Sequence, residues 1–433
     1  MSLPLTAPIA LLAAMALVCF PVRKQVLLAA VLSLISLAAA AAMLLLAADG
    51  ARTEVAGLTL HMTPLARLAG AALLGILAVL VADVWLDEPA YNFFPIALGV
   101  AAAVVAVLLL TDPLATYAVL LVALLLPVGS FTFQIHRNRS VDAAVRHFAF
   151  VALGGTIGLA ALALAASLPR DQPQTTFVLL VVILYVAFAL KLAVIPFHTH
   201  AALLARETPA TALALYFGVL APTTVIAFTE ILTGSGLLPA IVQLGRVQQL
   251  LLGMGALSAV GGALLATGAP DPRRLVVYSV ISGLGMALVG IGTFSGPGIV
   301  GGIAVALATG ASAAQQLLAA AAFVAGGVGL IGAPPLVGFP GRFFVELIAY
   351  SFAEWLGVAL VAATGLLLLA QLRMALSLFA DGLPSWRPER RPVAGALGML
   401  IFAALLAGGV APDAFLRPIA TFAEEFLRAL RPL

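Results

Sequence analysis

From Leu275 to Gly341 the chain contains no Asp, Glu, Lys or Arg. A water-soluble domain cannot hide such a run, because its surface needs charge and grows too fast relative to its volume. Hydrocarbon is the solvent that suits it. There the backbone must satisfy its own hydrogen bonds, so helices are expected, joined by tight turns such as Ser295-Gly296-Pro297-Gly298. A β-barrel would alternate polar and apolar residues in short strands, and the sequence lacks that alternation. The rest of the chain agrees: 63% of its 433 residues are hydrophobic, 9% are charged and the mean hydropathy is +1.18. A net charge of +3 is too small to argue for nucleic acid.

A span needs about 20 apolar residues. Apolar segments fall near 7–20, 25–48, 66–86, 93–110, 113–134, 146–168, 175–203, 208–232, 247–268, 274–293, 297–328, 330–352, 354–380 and 393–411. The expectation is therefore an all-α polytopic membrane protein with about fourteen spans. Residues 7–20 have no basic region before them and are read as the first span, not a cleavable leader. The lone Cys19 excludes a disulfide framework or a cysteine-bound cluster within this chain. Basic residues gather after spans one (Arg23, Lys24), five (Arg137, Arg139, Arg146), nine (Arg273, Arg274) and thirteen (Arg387, Arg390, Arg391). The positive-inside rule makes that side cytoplasmic. Both termini then face outward from a cell inner membrane.

Two spans are expected to be broken. The seventh is too long for a hydrocarbon core of about 30 Å and carries Pro196, which removes a backbone bond. The twelfth holds Gly332, Pro334, Pro335, Gly338, Pro340 and Gly341. If spans four to eight (93–232) and nine to thirteen (247–380) are two five-helix repeats, each break falls in the fourth helix of its repeat. Five is odd, so the repeats would be inverted. Interrupted helices at matched positions point to an ion path. Residues 1–92 would then form an N-terminal three-helix segment, and 381–433 the last helix and a C-terminal tail.

The chain has two lysines, Lys24 and Lys191, against nineteen arginines. Lys191 lies in an apolar segment just before Pro196. An arginine cannot release its proton in a protein, whereas a desolvated lysine can. An intramembrane ionisable residue is a functional candidate by default, and the competing reading, a lysine snorkelling to the interface, conflicts with its depth. His198 is a candidate relay or a packed structural histidine. His200 is read as structural or interfacial. Arg342 and Glu346 are four residues apart and can pair on one helix face. Glu230 is a further titratable candidate or an interfacial residue. Asp83 and Asp112 are expected to be solvated or capping. Gln315 and Gln316 could hold water in an uncharged helix or bond a neighbouring helix.

Four stretches resemble the antiporter-like membrane subunits shared by respiratory complex I, membrane-bound hydrogenases and Mrp-type cation/proton antiporters. They are Leu190-Lys-Leu-Ala-Val-Ile-Pro-Phe-His198, Glu207-Thr-Pro-Ala-Thr-Ala212, Asp271-Pro-Arg-Arg-Leu-Val-Val-Tyr-Ser-Val-Ile-Ser282 and Gly332-Ala-Pro-Pro-Leu-Val-Gly-Phe-Pro-Gly-Arg-Phe-Phe344. The quinone-proximal subunit of this type in complex I is the one resembled most. The resemblance implies a fourteen-helix scaffold with inverted repeats. It also implies a fifth-helix glutamate paired with the seventh-helix lysine, but that position falls near Leu121 or Val122 and has no acid. The eighth-helix lysine falls near Val219, the histidine or glutamine of the tenth at Gly283, the eleventh-helix lysine near Gln315, and the twelfth-helix charge at Arg342. Lys191 and His198 match as titratable residues.

The function expected on these grounds is a non-redox, proton-translocating subunit, intact or reduced, of a larger redox-driven complex. Its path would use Lys191, His198, Gln315, Glu230, Arg342 and Glu346. No flavin, nucleotide, cluster or metal motif is visible, so cofactors are expected on partner chains, among them other membrane subunits. The rival readings are a multi-subunit cation/proton antiporter, an inorganic-carbon uptake complex, and a scaffold without flux.

Overall fold

A computed structural model describes residues 4–87, 90–131, 140–168, 174–238, 245–318, 320–380 and 392–430. In chain order the helices are α1 (Thr6–Val22), α2 (Val26–Leu46), α3 (Pro64–Asp87), α4 (Phe93–Leu109), α5 (Pro113–Leu125), α6 (Val128–Phe131), α7 (Ser140–Ser167), α8 (Gln174–Leu192), α9 (Thr199–Glu207), α10 (Ala210–Leu215) and α11 (Ala221–Gly234). They continue with α12 (Arg246–Thr267), α13 (Pro272–Gly292), α14 (Gly296–Leu318), α15 (Ala320–Ile331), α16 (Gly338–Phe352), α17 (Glu354–Ala380), α18 (Pro392–Val410) and α19 (Pro412–Ala429). Two of these starts are written in the sequence as Asp-Pro. The carboxylates of Asp112 and Asp271 accept from the amides of Ala115 and Arg274, at 2.7 and 3.0 Å. The following prolines occupy first-turn positions that need no amide.

Ten helices among the described residues are long and apolar enough to cross a membrane, and four shorter apolar ones fall at Thr6–Val22, Phe93–Leu109, Thr176–Leu192 and Ala322–Ile331. The chain is an all-α polytopic membrane protein. At the centre lie α13, α14 and the helix running from α10 to α11, each about 94% buried across its apolar window, whereas α2 and α18 are 33% and 28% buried. The outer helices present their side chains to the surroundings, as lipid-facing or subunit-facing helices do.

Alternate connections lie on opposite faces. On one face a small hairpin, β1 (Arg52–Val55) with β2 (Leu58–His61), docks on the α4–α5 turn, where the Thr111 amide donates to Thr59 O at 3.1 Å. The end of α11 packs beside Pro113, and Phe294 after α13 stacks on Phe426 of α19. The amide of Leu5 reaches Thr53 Oγ1 at 3.3 Å, so both ends of the described chain share this face. On the other face, Arg273 donates to Thr208 O (3.2 Å) and Arg373 to Ala269 O (2.6 Å).

Three features depart from the sequence reading. The segment placed at 297–328 ends at Leu318, and 320–331 is the first half of the broken twelfth span. The hairpin was not foreseen. The tail after the last span is a helix, α19, whose apolar side (Ile419, Phe422, Ala423, Phe426) is buried. The basic residues Arg137, Arg139, Arg387, Arg390 and Arg391 lie outside the described residues.

Both expected breaks are present, and they match. Helix stops at Leu192 and resumes at Thr199; it stops at Ile331 and resumes at Gly338. The first residue of each gap is left-handed, Ala193 at φ +55° and Gly332 at φ +69°. The Ile195–Pro196 and Pro334–Pro335 bonds, both cis, occupy the same place in the two gaps.

Candidate functional site

Lys191 is the next-to-last residue of α8, so its side chain sits at the mouth of the first gap. It is 1% exposed, and Nζ has no hydrogen-bond partner. What faces it is aromatic. Nζ lies 3.3 Å from the ring centroid of Tyr117 on α5 and 5.4 Å from that of Phe188, one turn back on α8. The two rings meet edge to face at 5.4 Å. A cation over a ring in a desolvated place gains about 2 kcal/mol, well short of the several kcal/mol that burying an ion costs. This amine is therefore only partly compensated for its burial.

Tyr117 is set by its own contacts. Its hydroxyl donates to Gly154 O on α7 at 2.5 Å. Gly158, one turn further on, lies so close that a Cβ there would overlap the hydroxyl. The fifth-helix group opposite Lys191 is thus Tyr117. The positions aligned with an acid fall one turn later; Leu121 packs over Gly155 and Val122 is exposed. The signal was available: a four-residue shift keeps the same helix face, and Tyr117 is a polar-tipped ring in an apolar helix.

The gap leaves backbone groups of α8 without helical partners, and neighbours supply them. Tyr216 donates its hydroxyl to Lys191 O, and the Ile195 amide donates to Ser258 Oγ on α12 at 3.1 Å. Tyr216 opens a π-helical turn, Tyr216–Leu220, between α10 and α11. Pro222 just beyond has no amide to continue the regular ladder.

Behind Tyr216 lies His147 of α7, a buried residue that the sequence reading overlooked. Its ring meets Tyr216 edge to face at 4.7 Å and Phe131 at 5.1 Å. His200 lies 5.6 Å from it and stacks on Phe150 at 4.6 Å, with Nδ1 3.0 Å from Phe197 O. His200, and not His198, thus joins the aromatic cluster. His198 sits in the gap, half-buried, with Nδ1 buried and unpartnered.

The second gap is filled differently. Arg342, at the start of the second turn of α16, is 4% exposed. Its Nη2 donates to Leu330 O at 2.5 Å and Nη1 to Thr364 Oγ1 at 3.2 Å. Thr364 in turn donates to Glu346 Oε1 at 2.8 Å. Arg342 and Glu346 are brought together, but through Thr364 of α17 in place of the expected direct pair. Gln315 is fully buried with both amide atoms unpartnered. The adjacent Gln316 makes the network, donating to Phe323 O (3.1 Å) and to Gln371 Oε1 (2.7 Å), and Gln371 donates to Ser279 Oγ (3.2 Å). Gln371 was not singled out from the sequence.

Glu230 stands apart, at the hairpin face. It lines a cavity of about 160 Å³ with His61, Thr111 and Glu425, and its Oε2 is buried without a partner. Of the two aspartates, Asp112 caps α5, whereas Asp83 is buried at 2% exposure and not solvated. No described contact links Lys191 to Gln315, Glu230 or Arg342.

Residues 144–318 match the model of the family described as NADH:quinone oxidoreductase/Mrp antiporter, transmembrane. The chain is 29% identical over 279 residues to NADH-quinone oxidoreductase subunit 13 of Thermus thermophilus, covering 56% of this chain and 57% of that one. It is 32% identical over 123 residues to NADH-quinone oxidoreductase subunit N of Pelagibacter ubique, covering 28% and 24%. The matched stretch thus spans little more than half of the first relative and a quarter of the second. Similar structures occur in the Mrp complex from Dietzia sp. DQ12-45-1b (TM-score 0.83, 18% identity, 98% of each chain). They also occur in respiratory complex I from Thermus thermophilus (TM-score 0.83, 20% identity, 99% and 100%). Residues 144–318 thus match the transmembrane model of the NADH:quinone oxidoreductase/Mrp antiporter family, and the whole chain shares the fold of the membrane subunits found in those two complexes.

Proposed function

We propose that this chain is the proton-translocating, non-redox membrane subunit of a larger redox-driven complex, with Lys191 as its central proton carrier. The observation that carries the reading is the Lys191 amine: buried, without an acceptor, and placed at the mouth of a helix gap. Work done in partner subunits would change the hydration of that gap, and with it the charge on the amine. Residues 93–232 and 247–380 act as two repeats, the first holding Lys191 and the second the Gln316–Gln371 and Arg342–Thr364–Glu346 groups. Residues 1–92 and 381–433 flank them. His198 serves the entry side. Glu346 serves the exit, with Glu230 and its cavity on the same outer side. The face bearing Arg273 is cytoplasmic by its charge, so both termini face outward from the inner membrane. Redox cofactors and their subunits are partners.

The test is Lys191→Arg, which keeps the charge and removes the titration. Proton uptake per electron in inverted membrane vesicles should fall by the share this subunit contributes, with electron transfer by the partners as the control for assembly. Normal uptake in that variant would refute the reading. A scaffold without flux is the second reading, favoured by the missing contact between Lys191 and the second-repeat groups; it expects Lys191→Arg to behave as wild type. Co-purification in mild detergent separates a redox-free antiporter or carbon-uptake assembly from a complex with redox subunits.

A further inference from the structure

We infer that Tyr117 is the positioning residue of Lys191, standing where a lysine–acid pair would place its carboxylate. The inference rests on the reading of Lys191 as proton carrier. Its basis is geometric. The amine is 3.3 Å from the ring centroid of Tyr117 and lies in the corner that this ring forms with Phe188. The hydroxyl cannot turn toward the amine, because it is tied to Gly154 O and backed by Gly158. Lys191 therefore meets the face of the ring and not its polar tip. The other titratable groups nearby are Tyr216, which caps the Lys191 carbonyl, and His147 behind it. No carboxylate pairs with the amine among the described residues.

A ring face and a carboxylate do different things for a lysine. Both attract the ammonium form, but the ring does so through its quadrupole and cannot itself take the proton. A glutamate can accept the proton from its partner, which opens a side route back into the fifth helix. With Tyr117 in that place, a proton leaving Lys191 has only water entering the gap, or the groups beyond it, as acceptor. The ring thus holds the amine at the mouth of the gap and closes the route toward α5.

Substitutions at Tyr117 move the pH profile of proton uptake in opposite directions. Tyr117→Leu removes the ring and disfavours the ammonium, so half-maximal uptake should move to lower pH by about one unit. Tyr117→Glu adds a charge partner that favours the ammonium, and the profile should move to higher pH by one unit or more. Tyr117→Phe keeps the ring, loses the tie to Gly154 O, and should retain the wild-type profile. The measurement is respiration-driven uptake in inverted vesicles from cells carrying the full chain and its native partners, with partner electron transfer monitored in parallel. Profiles that move the same way in the Leu and Glu variants, or not at all, overturn the inference. So does a Phe variant that matches the Leu variant, because the hydroxyl tie would then be what matters. If the Leu variant fails to assemble, the Phe and Glu variants still decide. Failure of the underlying reading is seen separately, as normal uptake in Lys191→Arg.

Discussion

At residues 193–198 the chain leaves and rejoins helix as it does at 332–337, with a left-handed residue first and helix regained at the same distance. The side chains that fill the two gaps behave differently. In the second, the carbonyl freed at Leu330 is taken by Arg342 of the same broken span, and that guanidinium also bonds Thr364. In the first, the carbonyl freed at Lys191 is taken by Tyr216 from a neighbouring helix. The cation of the second gap is thus consumed in holding the break together, while the cation of the first is left without a polar partner. A break needs its carbonyl covered. When a neutral hydroxyl does this, the local charge is released for other work.

The largest expected effect comes from deleting each cation in turn. Arg342→Met leaves Leu330 O and Thr364 Oγ1 without their donor and removes the cation beside Glu346, and should lower stability by about 3–5 kcal/mol. Lys191→Met removes an amine that nothing satisfies and replaces it with an apolar chain of similar length. It should raise stability by about 1–3 kcal/mol. Thermal unfolding in mild detergent reads both. Equal losses in the two variants would show that Lys191 is as structural as Arg342.

A smaller contrast lies in the left-handed residues. A Cβ on Gly332 would overlap the Arg342 side chain as it crosses to Leu330 O, so Gly332→Ala should cost at least about 2 kcal/mol, from backbone strain and a displaced guanidinium together. Ala193 already carries a Cβ at φ +55°, buried in the core. Ala193→Gly should change stability by less than about 1 kcal/mol, since relief of the left-handed cost is offset by a freer unfolded chain. A large loss in Ala193→Gly would mean that packing of the buried methyl outweighs relief of the left-handed backbone.

The same contrast marks how far the sequence could be read. Both gaps were visible because Pro and Gly are strong punctuation, and Lys191 stood out as the lysine inside a span. Tyr117 was missed because the reading looked for an acid at a fixed alignment position, whereas the helix face, repeating every four residues, decides what meets the amine. The separation of the helix ending at Leu318 from the helix beginning at Ala320 was invisible for another reason. Around Ala320 the run is apolar, uncharged and without Pro, so nothing marks where one helix ends. The hairpin and α19 were hidden by hydropathy, which scores charge but not period. In α19 the buried Ile419, Phe422, Ala423 and Phe426 recur at helical spacing opposite Arg417, Thr421, Glu424 and Arg428. That pattern was legible had the tail been scanned for a 3.6-residue period. The Arg342–Thr364 link is tertiary and could not be read from spacing within one helix.

The smallest predicted effects test the caps of the first gap. Tyr216→Phe strips the hydroxyl from Lys191 O and should cost about 1–2 kcal/mol, less than Arg342→Met because the lost donor is neutral and single. Ser258→Ala should cost about 1 kcal/mol or less. Ser258 belongs to α12, outside the first repeat, and accepts from the Ile195 amide while donating to Met254 O at 2.8 Å. Its loss frees one half-buried amide and leaves the gap's carbonyl covered. In the second gap the bond to a helix outside the broken span falls three residues later and is made by backbone alone, Val337 N–H to Leu405 O at 3.0 Å, so no side-chain substitution removes it. Hydrogen exchange should therefore accelerate at Ile195 in Ser258→Ala by up to about tenfold, with Val337 unchanged. Unchanged exchange at Ile195 would mean that the packing of the gap, and not this side-chain cap, holds the first break in place. The two breaks would then differ only in their cations.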